Sequence, residues 1–469
     1  WLKKKFVVET NWCITLDKID ESFYPEISAN DAQRQEWVEL YAIDEIAGDL
    51  MTEAYSIPLT VDFLKQNKNL VLDTKHFTTE FKERLIASID NLDEETNGLL
   101  IHSENFQALN LLQEKYREKI KCIYIDPPYN TNASEIAYKN GYKHSSWLTL
   151  MKNRLEISRN LISENGVIET AIDDFEFRYL QVAIENTFGI DNVISNIAIF
   201  TNPKGRDQEF IAQAHDYTII YAKNKEKAET NYFTLSDESL KLKYSLTDGN
   251  RNYRELPLKR TGSGKRREER PFMFFPFLYN PTTKENGIIS KDEYVKIYDK
   301  EKKVFNDDYL IELEEKYKRA GFVFIYPKEE NGMLLRWRWG YDSCVKGLKE
   351  GILFIKEMNN GNYAVYEKNY EDSTVTPKSF WFGEKYDASS KGTNLLKNIL
   401  PNNPFDFPKS IFTVMDCLSI GSNEDSIVLD YFAGSGTTGH AVIDLNRENE
   451  NSNRKYILVE MGNYFNTVT

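Results

Sequence analysis

The stretch CIYIDPPY, residues 122–129, joins four residues typical of a strand to an acid, two prolines and a tyrosine. A short apolar run rich in β-branched and aromatic side chains predicts a buried strand. In open α/β sheets, ligands bind beyond the carboxyl ends of the strands. The stretch therefore places Asp126-Pro127-Pro128-Tyr129 where such a sheet carries its site, although Asp-Pro and Pro-Pro also mark plain turns.

The sequence around this strand alternates between helical and extended patterns. Phe106, Leu109, Leu112 and Tyr116 recur at helical spacing, which predicts a helix before the strand. Strands that alternate with helices predict a largely parallel, doubly wound sheet. The other predicted elements are a helix over Trp147–Ile162 ended by the turn Asn165-Gly166, a strand over Val167–Ile172, a helix near Phe175–Phe188, and strands near Val193–Phe200 and Tyr217–Ala222.

The same alternation returns near the end of the sequence. A strand over Ile427–Asp430 leads through a glycine-rich turn and a helix to a strand over Tyr456–Glu460. The residues between the two blocks have clustered charges, many aromatic side chains and short strand-like runs, which indicates an inserted α+β domain. We predict one Rossmann-like sheet made from two blocks, with an accessory region at 1–97, the first block at 98–225, the insertion at 226–390 and the second block at 391–469.

Composition limits the class of protein without identifying a ligand. The formal charge of −14 over 469 residues allows nucleic-acid binding only through local basic segments. The four cysteines form no CxxC pair, which predicts a reducing, cytoplasmic compartment and no metal site. No apolar run has the length that a bilayer requires. The sequence starts at Trp1 and stops at Thr469, soon after a predicted strand, so we expect both ends to be cut.

The glycine-rich run Gly434-Ser435-Gly436-Thr437-Thr438-Gly439 fits GxGxxG between a strand and a helix. Glycines allow a sharp turn and close approach of a ligand, although the pattern alone also fits a structural turn. Asp430 precedes the turn, and Glu460 ends the next strand, where a carboxylate can accept hydrogen bonds from ribose hydroxyls. A nicotinamide cofactor would use similar parts. Asp430 favours S-adenosylmethionine, because an acid could bind its ammonium group and would repel a pyrophosphate.

Asp126 to Tyr129 suit chemistry on the exocyclic amine of a nucleobase. That amine is a poor nucleophile because its lone pair is delocalised into the ring. Asp126 and the carbonyl of Pro127 could accept its hydrogens, while Pro127 and Pro128 have a fixed φ and no N–H. Tyr129 offers a ring on which a flipped base could stack. We therefore predict direct methyl transfer, without a metal or a covalent enzyme intermediate, through positioning and electrostatics.

The motifs together resemble the modification subunits of type III restriction–modification systems, which are beta-class adenine-N6 DNA methyltransferases. The resemblance runs in the family's order and covers both α/β blocks. It is carried by Leu100–Leu109, Cys122–Thr131, His144–Trp147, Gly166–Asp174, Asn202–Gly205, Phe405–Ser410 and Phe432–Thr438.

The resemblance implies methylation of adenine N6 in a specific sequence of double-stranded DNA, with S-adenosylmethionine as the donor. It also implies a homodimer and a restriction partner with helicase and nuclease activities. Glu169 stands where relatives carry an apolar residue, and its role is left open. The implied donor-binding residues are Asp126, Lys409 or Ser410 near the donor carboxylate, Asp430, Phe432, Ala433, Gly434, Ser435, Gly436, Thr437 and Glu460.

The densest basic segment lies in the predicted insertion. Charge runs are often solvated loops, but the glycines of this segment also suit a flexible loop that contacts DNA phosphates or guanine edges. Arg336-Trp337-Arg338-Trp339 is read either as an edge strand with cation–π packing or as a base-contacting surface. The predicted DNA-binding residues are Lys259, Arg260, Lys265, Arg266, Arg267 and Arg270.

Three other functions compete with DNA adenine methylation. A relative with a similar strand end could methylate RNA or a protein glutamine. A recognition module could bind DNA for a partner nuclease, with its own methylation incidental or lost. A nicotinamide-dependent dehydrogenase would share the glycine loop, but would leave Asp126-Pro127-Pro128-Tyr129 without a role.

Overall fold

The computed structural model describes residues 9–48, 52–130, 144–205, 210–249, 251–402 and 405–469. The described residues form two compact units. One contains the chain up to Thr230 together with Ser379–Thr469, and the other contains Asn231–Lys378. The first unit is thus discontinuous in sequence, as the two α/β blocks predict.

An eight-stranded sheet organises the first unit. The order across the sheet is β6-β4-β5-β3-β2-β7-β8-β1. Neighbouring strands are parallel except at β5, which is antiparallel to both of its neighbours. The mostly parallel sheet predicted from the two blocks is therefore confirmed. Its strands are β1 (Gly98–His102), β2 (Ile120–Ile125), β3 (Ile162–Ile172), β4 (Val193–Phe200), β5 (His215–Ala222), β6 (Phe380–Trp381), β7 (Ile427–Asp430) and β8 (Lys455–Glu460).

Helices pack on this sheet and bury one apolar stripe each. All six residues of β2 are buried, which explains why its sequence is apolar apart from Lys121 and does not alternate. The main core contains residues of β2, β3, α2 and α3 together with Tyr431 and Phe432. The helices are α1 (Asn105–Tyr116), α2 (His144–Leu161), α3 (Phe177–Phe188), α4 (Ile411–Gly421) and α5 (Thr437–Glu448), with a short helix over Asn394–Ile399.

The predicted turn at Asn165-Gly166 lies inside β3 instead of ahead of it. Ile162 already pairs with Ile120, and the register shifts before Val167 pairs with Cys122. Gly166 is required in this irregular stretch, because a β-carbon there would lie 2.8 Å from the Lys121 carbonyl oxygen. The sequence pattern was misleading because a bulge and a turn use the same residue types.

The sheet reverses its winding between β2 and β7. From β2 the chain passes through α2 to β3 on one side, and from β7 it passes through α5 to β8 on the other side. Val428 and Leu429 pair with Cys122 and Ile123, so the two strands end next to each other. Such a switch point opens a crevice at the carboxyl ends of the strands, which brings Asp126 and Asp430 to its two sides.

The residues before the sheet have a core of their own. Trp37, Phe63 and Leu72 are buried in it. This part was predicted as the accessory region 1–97, and its described residues include none of the switch point. Its elements are the antiparallel strands Cys13–Thr15 and Val71–Asp73 and the helices Tyr24–Ser28, Asp31–Tyr41, Val61–Gln66, Thr79–Ala87 and Leu92–Glu95.

The second unit is an α+β structure that begins and ends on one pair of strands, Phe233–Thr234 and Thr374–Val375. It ends before the predicted boundary at 390, because Phe380 and Trp381 pair with β4 of the first unit. Its other strands are Leu246–Asp248, Arg251–Pro257, Phe277–Tyr279, Asn286–Ile288, Tyr298–Asp299, Val304–Phe305, Val323–Ile325, Leu353–Glu357 and Tyr363–Tyr370, and its helices are Asp237–Lys243, Lys291–Tyr294, Asp307–Arg319 and Tyr341–Lys349.

Candidate active site

A lysine bridges two carboxylates beyond the end of β2. Lys409, which precedes α4, places its Nζ 3.5 Å from Asp126 Oδ1 and 3.2 Å from Asp216 Oδ2. Asp216 lies on the antiparallel strand β5 and is buried. Three distant parts of the sequence therefore supply one cluster of charges at the switch point. We call Asp126, Lys409 and Asp216 the charge cluster.

Tyr129 contacts the charge cluster and belongs to a firmly held loop. Lys409 Nζ donates to the Tyr129 hydroxyl and lies 4.6 Å from the centre of its ring. The buried Trp147 of α2 donates its indole N–H to the Pro128 carbonyl over 2.8 Å. Pro127 and Pro128 also have a fixed φ. The described residues 126–130 are therefore constrained by their own prolines and by α2.

The surroundings of Asp126 leave a basic oxygen available to a ligand. Burial raises the pKa of the Asp126 carboxyl above its usual range, Lys409 opposes that rise, and Asp216 adds to it. Asp126 Oδ1 is buried and accepts no hydrogen bond from the residues that the structure describes. Buried polar atoms are nearly always hydrogen-bonded, so an acceptor without a donor indicates a position for a ligand.

A buried acid fixes the end of this loop. Glu176, just before α3, accepts a hydrogen bond from Asn130 Nδ2 over 2.6 Å, and His144 Nδ1 lies 2.8 Å from the same Oε1 atom. Asn130 has a φ of 57°, a left-handed conformation in which asparagine is favoured among residues with a side chain. Glu176 therefore positions the backbone that follows Tyr129.

Asp430 holds the glycine-rich turn in place through two hydrogen bonds. Its Oδ1 accepts the Phe432 N–H over 2.9 Å, and its Oδ2 accepts the Thr438 hydroxyl over 2.6 Å. Burial raises the pKa of Asp430 to about 7, although both hydrogen bonds act to lower it. Asp430 thus holds the turn in place, and its predicted contact with an ammonium group stays a prediction.

Glu460 fastens the same turn from the neighbouring strand. Its Oε2 accepts the Gly434 N–H over 2.9 Å, and its Oε1 accepts the N–H groups of Met461 and Gly462, each over 2.8 Å. The carboxylate is almost fully buried. Both carboxylate oxygens therefore hold backbone groups, and the predicted contact with ribose hydroxyls stays a prediction.

The remaining predicted donor-binding residues are distributed around the turn. Gly434 and Gly436 have positive φ values of 53° and 74°, conformations that favour glycine. The buried Ser410 donates its hydroxyl to the Lys385 carbonyl over 2.6 Å, away from the charge cluster. Phe432 and Ala433 are buried at the start of the turn, and the hydroxyls of Ser435 and Thr437 lie 3.0 Å apart.

Glu169 belongs to the packing of the sheet. It pairs with Tyr124 in the register of β3 and β2, and both of its carboxylate oxygens are buried without a partner in the described parts of the chain. Burial raises its pKa well above the usual range, which favours the neutral acid. A β-carbon on Gly421 would lie 2.9 Å from Glu169 Oε1, so the end of α4 packs directly onto it.

The predicted DNA-binding residues have different surroundings. Arg267 pairs with both oxygens of Asp307 at 2.7 and 2.9 Å, and its guanidinium also lies 4.3 Å from the centre of the Phe305 ring. Lys265 pairs with Glu329. Lys259 donates to the Lys328 carbonyl over 3.0 Å, whereas Arg260, Arg266 and Arg270 are exposed.

Neither a metal site nor a membrane span is seen in the described ranges. No group of three or more histidine, cysteine, aspartate or glutamate side chains there is arranged to hold a metal ion. No described helix combines the length and the apolar character that crossing a bilayer requires.

Comparison with known proteins extends these observations. Residues 120–469 match the DNA methylase family. The chain is 30% identical over 407 residues to the type III restriction–modification enzyme EcoPI Mod subunit of Escherichia phage P1, covering 79% of this chain and 58% of the relative. It is 29% identical over 394 residues to the type II methyltransferase M.KpnI of Klebsiella pneumoniae, covering 81% of this chain and 84% of the relative.

A solved structure with 14% identity, the M1.HpyAVI-SAM complex, covers 79% of this chain and 96% of its own, with a TM-score of 0.35. The doubly wound sheet, with an acidic strand end beside a glycine turn, has a Rossmann-like architecture. This chain belongs to the DNA methylase family. The family resemblance noted from the motifs is thereby confirmed.

Sequence patterns missed two acids of the site. Asp216 is a charged residue in the otherwise apolar strand His215–Ala222, and Glu176 is a buried acid at the start of a helix. A lone acid in an apolar strand is a usable signal, because such a residue is rarely buried without a partner. Nothing in the local sequence indicates that the partner of Asp216 is Lys409.

Proposed function

We propose that this chain transfers a methyl group from S-adenosylmethionine to the N6 amine of an adenine in a specific sequence of double-stranded DNA. We further propose that it does so as the modification subunit of a type III restriction–modification system. Family membership and the EcoPI Mod relative support this proposal. The chain spans 58% of the length of that relative, so the activity of the whole protein is part of the proposal.

The observation that carries the proposal is the buried acceptor at the end of β2, whose Oδ1 has an ion-pair contact with Lys409 at 3.5 Å. Asp126 Oδ1 is buried and accepts no hydrogen bond from the described residues, and Tyr129 stands in the same constrained loop. An amine that donates to Asp126 has its lone pair directed elsewhere, toward an electrophile. Stacking on Tyr129 would hold the ring of a flipped base, worth about 1–3 kcal/mol.

The residues at the switch point fit S-adenosylmethionine. The carboxylates of Asp126, Asp430 and Glu460 lie at the ends of neighbouring strands, so the crevice between them is acidic and would attract a donor that carries an ammonium group and a sulfonium. When bound, the donor supplies an electrophilic methyl group on a sulfonium. Glu460 and Asp430 would hold the glycine turn that forms its binding site, with Phe432 at the start of that turn.

The chain's own residues then act on the amine. Asp126 accepts one amine hydrogen, and the Pro127 carbonyl accepts the other. Methyl transfer from the bound donor would make the amine acidic, and Asp126 Oδ1 would take up the proton that the amine releases. Lys409 limits the charge at that oxygen through its 3.5 Å contact. Positioning and electrostatics therefore supply the catalysis.

The second unit is the proposed target-recognition domain. It is inserted between β5 and β6 and carries the exposed arginines Arg260, Arg266 and Arg270. A homodimer and a restriction subunit with helicase and nuclease activities complete the proposal, in a cytoplasmic setting where the protein associates with DNA. The EcoPI and EcoP15I relatives, both Mod subunits, support the assignment to a type III system.

Methyl transfer to defined nucleic acids tests the function. Purified protein is incubated with methyl-labelled S-adenosylmethionine and plasmid DNA, total RNA or a protein extract, and labelled DNA is digested to nucleosides. We expect N6-methyladenine from DNA alone, within one sequence context on sequencing. Label in N4-methylcytosine, in RNA or in glutamine would contradict the assignment of the substrate. DNA binding without any transfer would favour a recognition module.

A further inference from the structure

The second unit contains a cavity of about 400 Å³ lined by arginines. Four guanidinium groups, a methionine and a tryptophan surround it. This concentration of positive charge is unusual for a chain with a formal charge of −14. We call the cavity the arginine pocket, and its lining residues are Arg260, Arg270, Met273, Arg336, Arg338 and Trp339.

Arg336 is the buried part of the arginine pocket. Only 8% of the residue is exposed, and its Nε donates to the Gly264 carbonyl over 2.5 Å. Its NH1 group donates to the Trp337 carbonyl over 3.1 Å. Among the described residues no carboxylate forms an ion pair with Arg336, and burial together with the like charges of Arg270 and Arg260 lowers its pKa. A buried charge without a counter-ion costs free energy, which an anion in the pocket would offset.

Arg260 and Arg270 provide the accessible part. Both are exposed, and neither pairs with a carboxylate in the described parts of the chain. The Arg260 N–H donates to the Arg336 carbonyl over 3.0 Å, which fixes the two arginines side by side. Arg338 differs, because Glu367 already accepts from it over 2.8 Å. The guanidinium groups of Arg260, Arg270 and Arg336 therefore line one pocket without an ion pair to a described carboxylate.

The shape of the pocket selects the ligand. Base edges lie inside a groove about 8.5 Å deep, so a protein reads them with side chains that project. Phosphates lie on the outside of the duplex and can enter a recess. Guanidinium groups bind phosphate oxygens through paired hydrogen bonds. A recessed cluster with a buried Arg336 therefore suits a phosphodiester better than a base edge.

We propose that the arginine pocket binds one backbone phosphate of the DNA and sets the register of the second unit on the duplex. This proposal extends the proposed function to a named contact and rests on it. Under this proposal, the residues of the basic segment have two different roles. Arg260 and Arg270 bind the anion, while Arg267 is held by Asp307 within the unit.

The test compares the full chain with the double variant Arg260→Gln/Arg270→Gln. Binding to a 30-base-pair duplex is measured across a series of salt concentrations, without the methyl donor. We expect affinity to fall on the order of tenfold for every sequence, and the slope of log affinity against log salt to fall by about 0.9 for the lost phosphate. Replacing single phosphates by neutral methylphosphonates should weaken wild-type binding at one position, and the double variant should be insensitive to that replacement.

Arg319→Gln is the matched control, because Arg319 is an exposed arginine of the same unit and lies outside the pocket. Its slope should stay close to that of the wild type. An unchanged slope in the double variant, or a loss confined to one sequence, would overturn the proposal. Stabilisation of the wild type alone by inorganic phosphate at matched ionic strength, without a change in the DNA slope, would assign the pocket to a free anion and would also overturn it.

Methyl transfer by the same proteins separates this proposal from the proposed function. If the wild type methylates DNA while the slope of the double variant is unchanged, the pocket proposal fails and the function stands. If the slope falls while the wild type transfers no methyl group, the function fails and the pocket stands. Arg319→Gln, which lies outside the pocket, should transfer methyl groups at the wild-type rate.

Discussion

The two strand ends at the switch point use their acids in opposite ways. At the end of β8, both oxygens of Glu460 accept backbone N–H groups, and at the end of β7 both oxygens of Asp430 are also bonded. At the end of β2, Asp126 Oδ1 accepts no hydrogen bond from the described residues. On one side of the crevice every carboxylate oxygen of these two acids accepts a hydrogen bond from the chain. On the other side, one carboxylate oxygen of Asp126 is available to accept a hydrogen bond from a ligand.

The difference indicates that the acids at this edge of the sheet have two separate roles. Satisfied acids fix the shape of a binding loop, and they contribute charge-assisted hydrogen bonds to stability. Asp126 Oδ1 has an ion pair with Lys409 but accepts no hydrogen bond from the described residues, and under the proposed function a substrate amine would supply that donor. Changes on the two sides should therefore affect different quantities, stability on one side and the chemical step on the other.

Asp126→Asn should have the largest effect on the rate. An amide nitrogen cannot accept a hydrogen from the substrate amine, and asparagine cannot take up the released proton. We expect the rate of methyl transfer to fall about 10²–10³-fold or more, as for the loss of one group that stabilises a transition state. Single-turnover transfer of labelled methyl groups measures this.

Asp425→Asn is the matched control for that change, because Asp425 is an exposed acid just before β7. Both variants should melt within a few degrees of the wild type. Transfer by Asp126→Asn at half the wild-type rate would remove the catalytic role of Asp126. A large loss of stability in Asp126→Asn would show that the two sides of the crevice do not differ as described.

Glu460→Gln should mainly reduce stability. The amide retains one acceptor oxygen and turns its NH₂ group toward backbone donors, so at least one charge-assisted hydrogen bond is lost. We expect the free energy of unfolding to fall by about 1.5–3 kcal/mol, measured by denaturant titration. KM for the donor should rise more than kcat falls. Glu448→Gln on the exposed end of α5 serves as the control, and a Glu460→Gln protein as stable as that control would contradict the structural role.

The charge cluster should control the pH dependence of the chemical step. Lys409 lowers the pKa of Asp126, and Asp216 raises it, within surroundings that also contain Tyr129 and Asp430. Lys409→Met should therefore move the acidic limb of the kcat/KM profile to higher pH, and Asp216→Asn should move it to lower pH. Shifts in the same direction for both variants would show that the cluster acts through folding alone.

Asp430 should give the smallest effect, a change in how stability depends on pH. Its folded-state pKa of about 7 lies above the ordinary aspartate value, so the folded protein holds a proton that the unfolded chain releases. The free energy of unfolding should fall as pH rises from about 4 to about 7 through this group. In Asp430→Asn that part of the slope should disappear in melts across this range. An identical slope in both proteins would assign the titration to another acid.

Local motifs were sufficient to predict the framework of the site. The apolar strand before Asp126 and the glycine run after Asp430 each predict a strand that ends in a turn, and both lie at the switch point. The alternation of strands and helices in both blocks indicated that the two strands belong to one sheet. The exact winding of β3 did not follow, because the bulge before Val167 contains the residues of an ordinary turn.

Long-range pairs were beyond the reach of sequence patterns. Lys409 was predicted to lie near the donor carboxylate, which stays a prediction, but its contacts with Asp126 and Asp216 were not predicted. Arg267 was grouped with its basic neighbours, yet its partner Asp307 lies on a helix further along the chain. In each case the register of packed elements decides which charges meet, and one sequence contains no record of that register.

The inserted unit has a consequence for how such a chain can diversify. Its first and last strands, Phe233–Thr234 and Thr374–Val375, lie side by side as a pair. The polypeptide therefore enters and leaves the second unit through two adjacent strands. Recombination could exchange everything beyond that pair as a cassette. Under the proposed function, one such exchange would change the recognised DNA sequence and leave the residues of the active site unchanged.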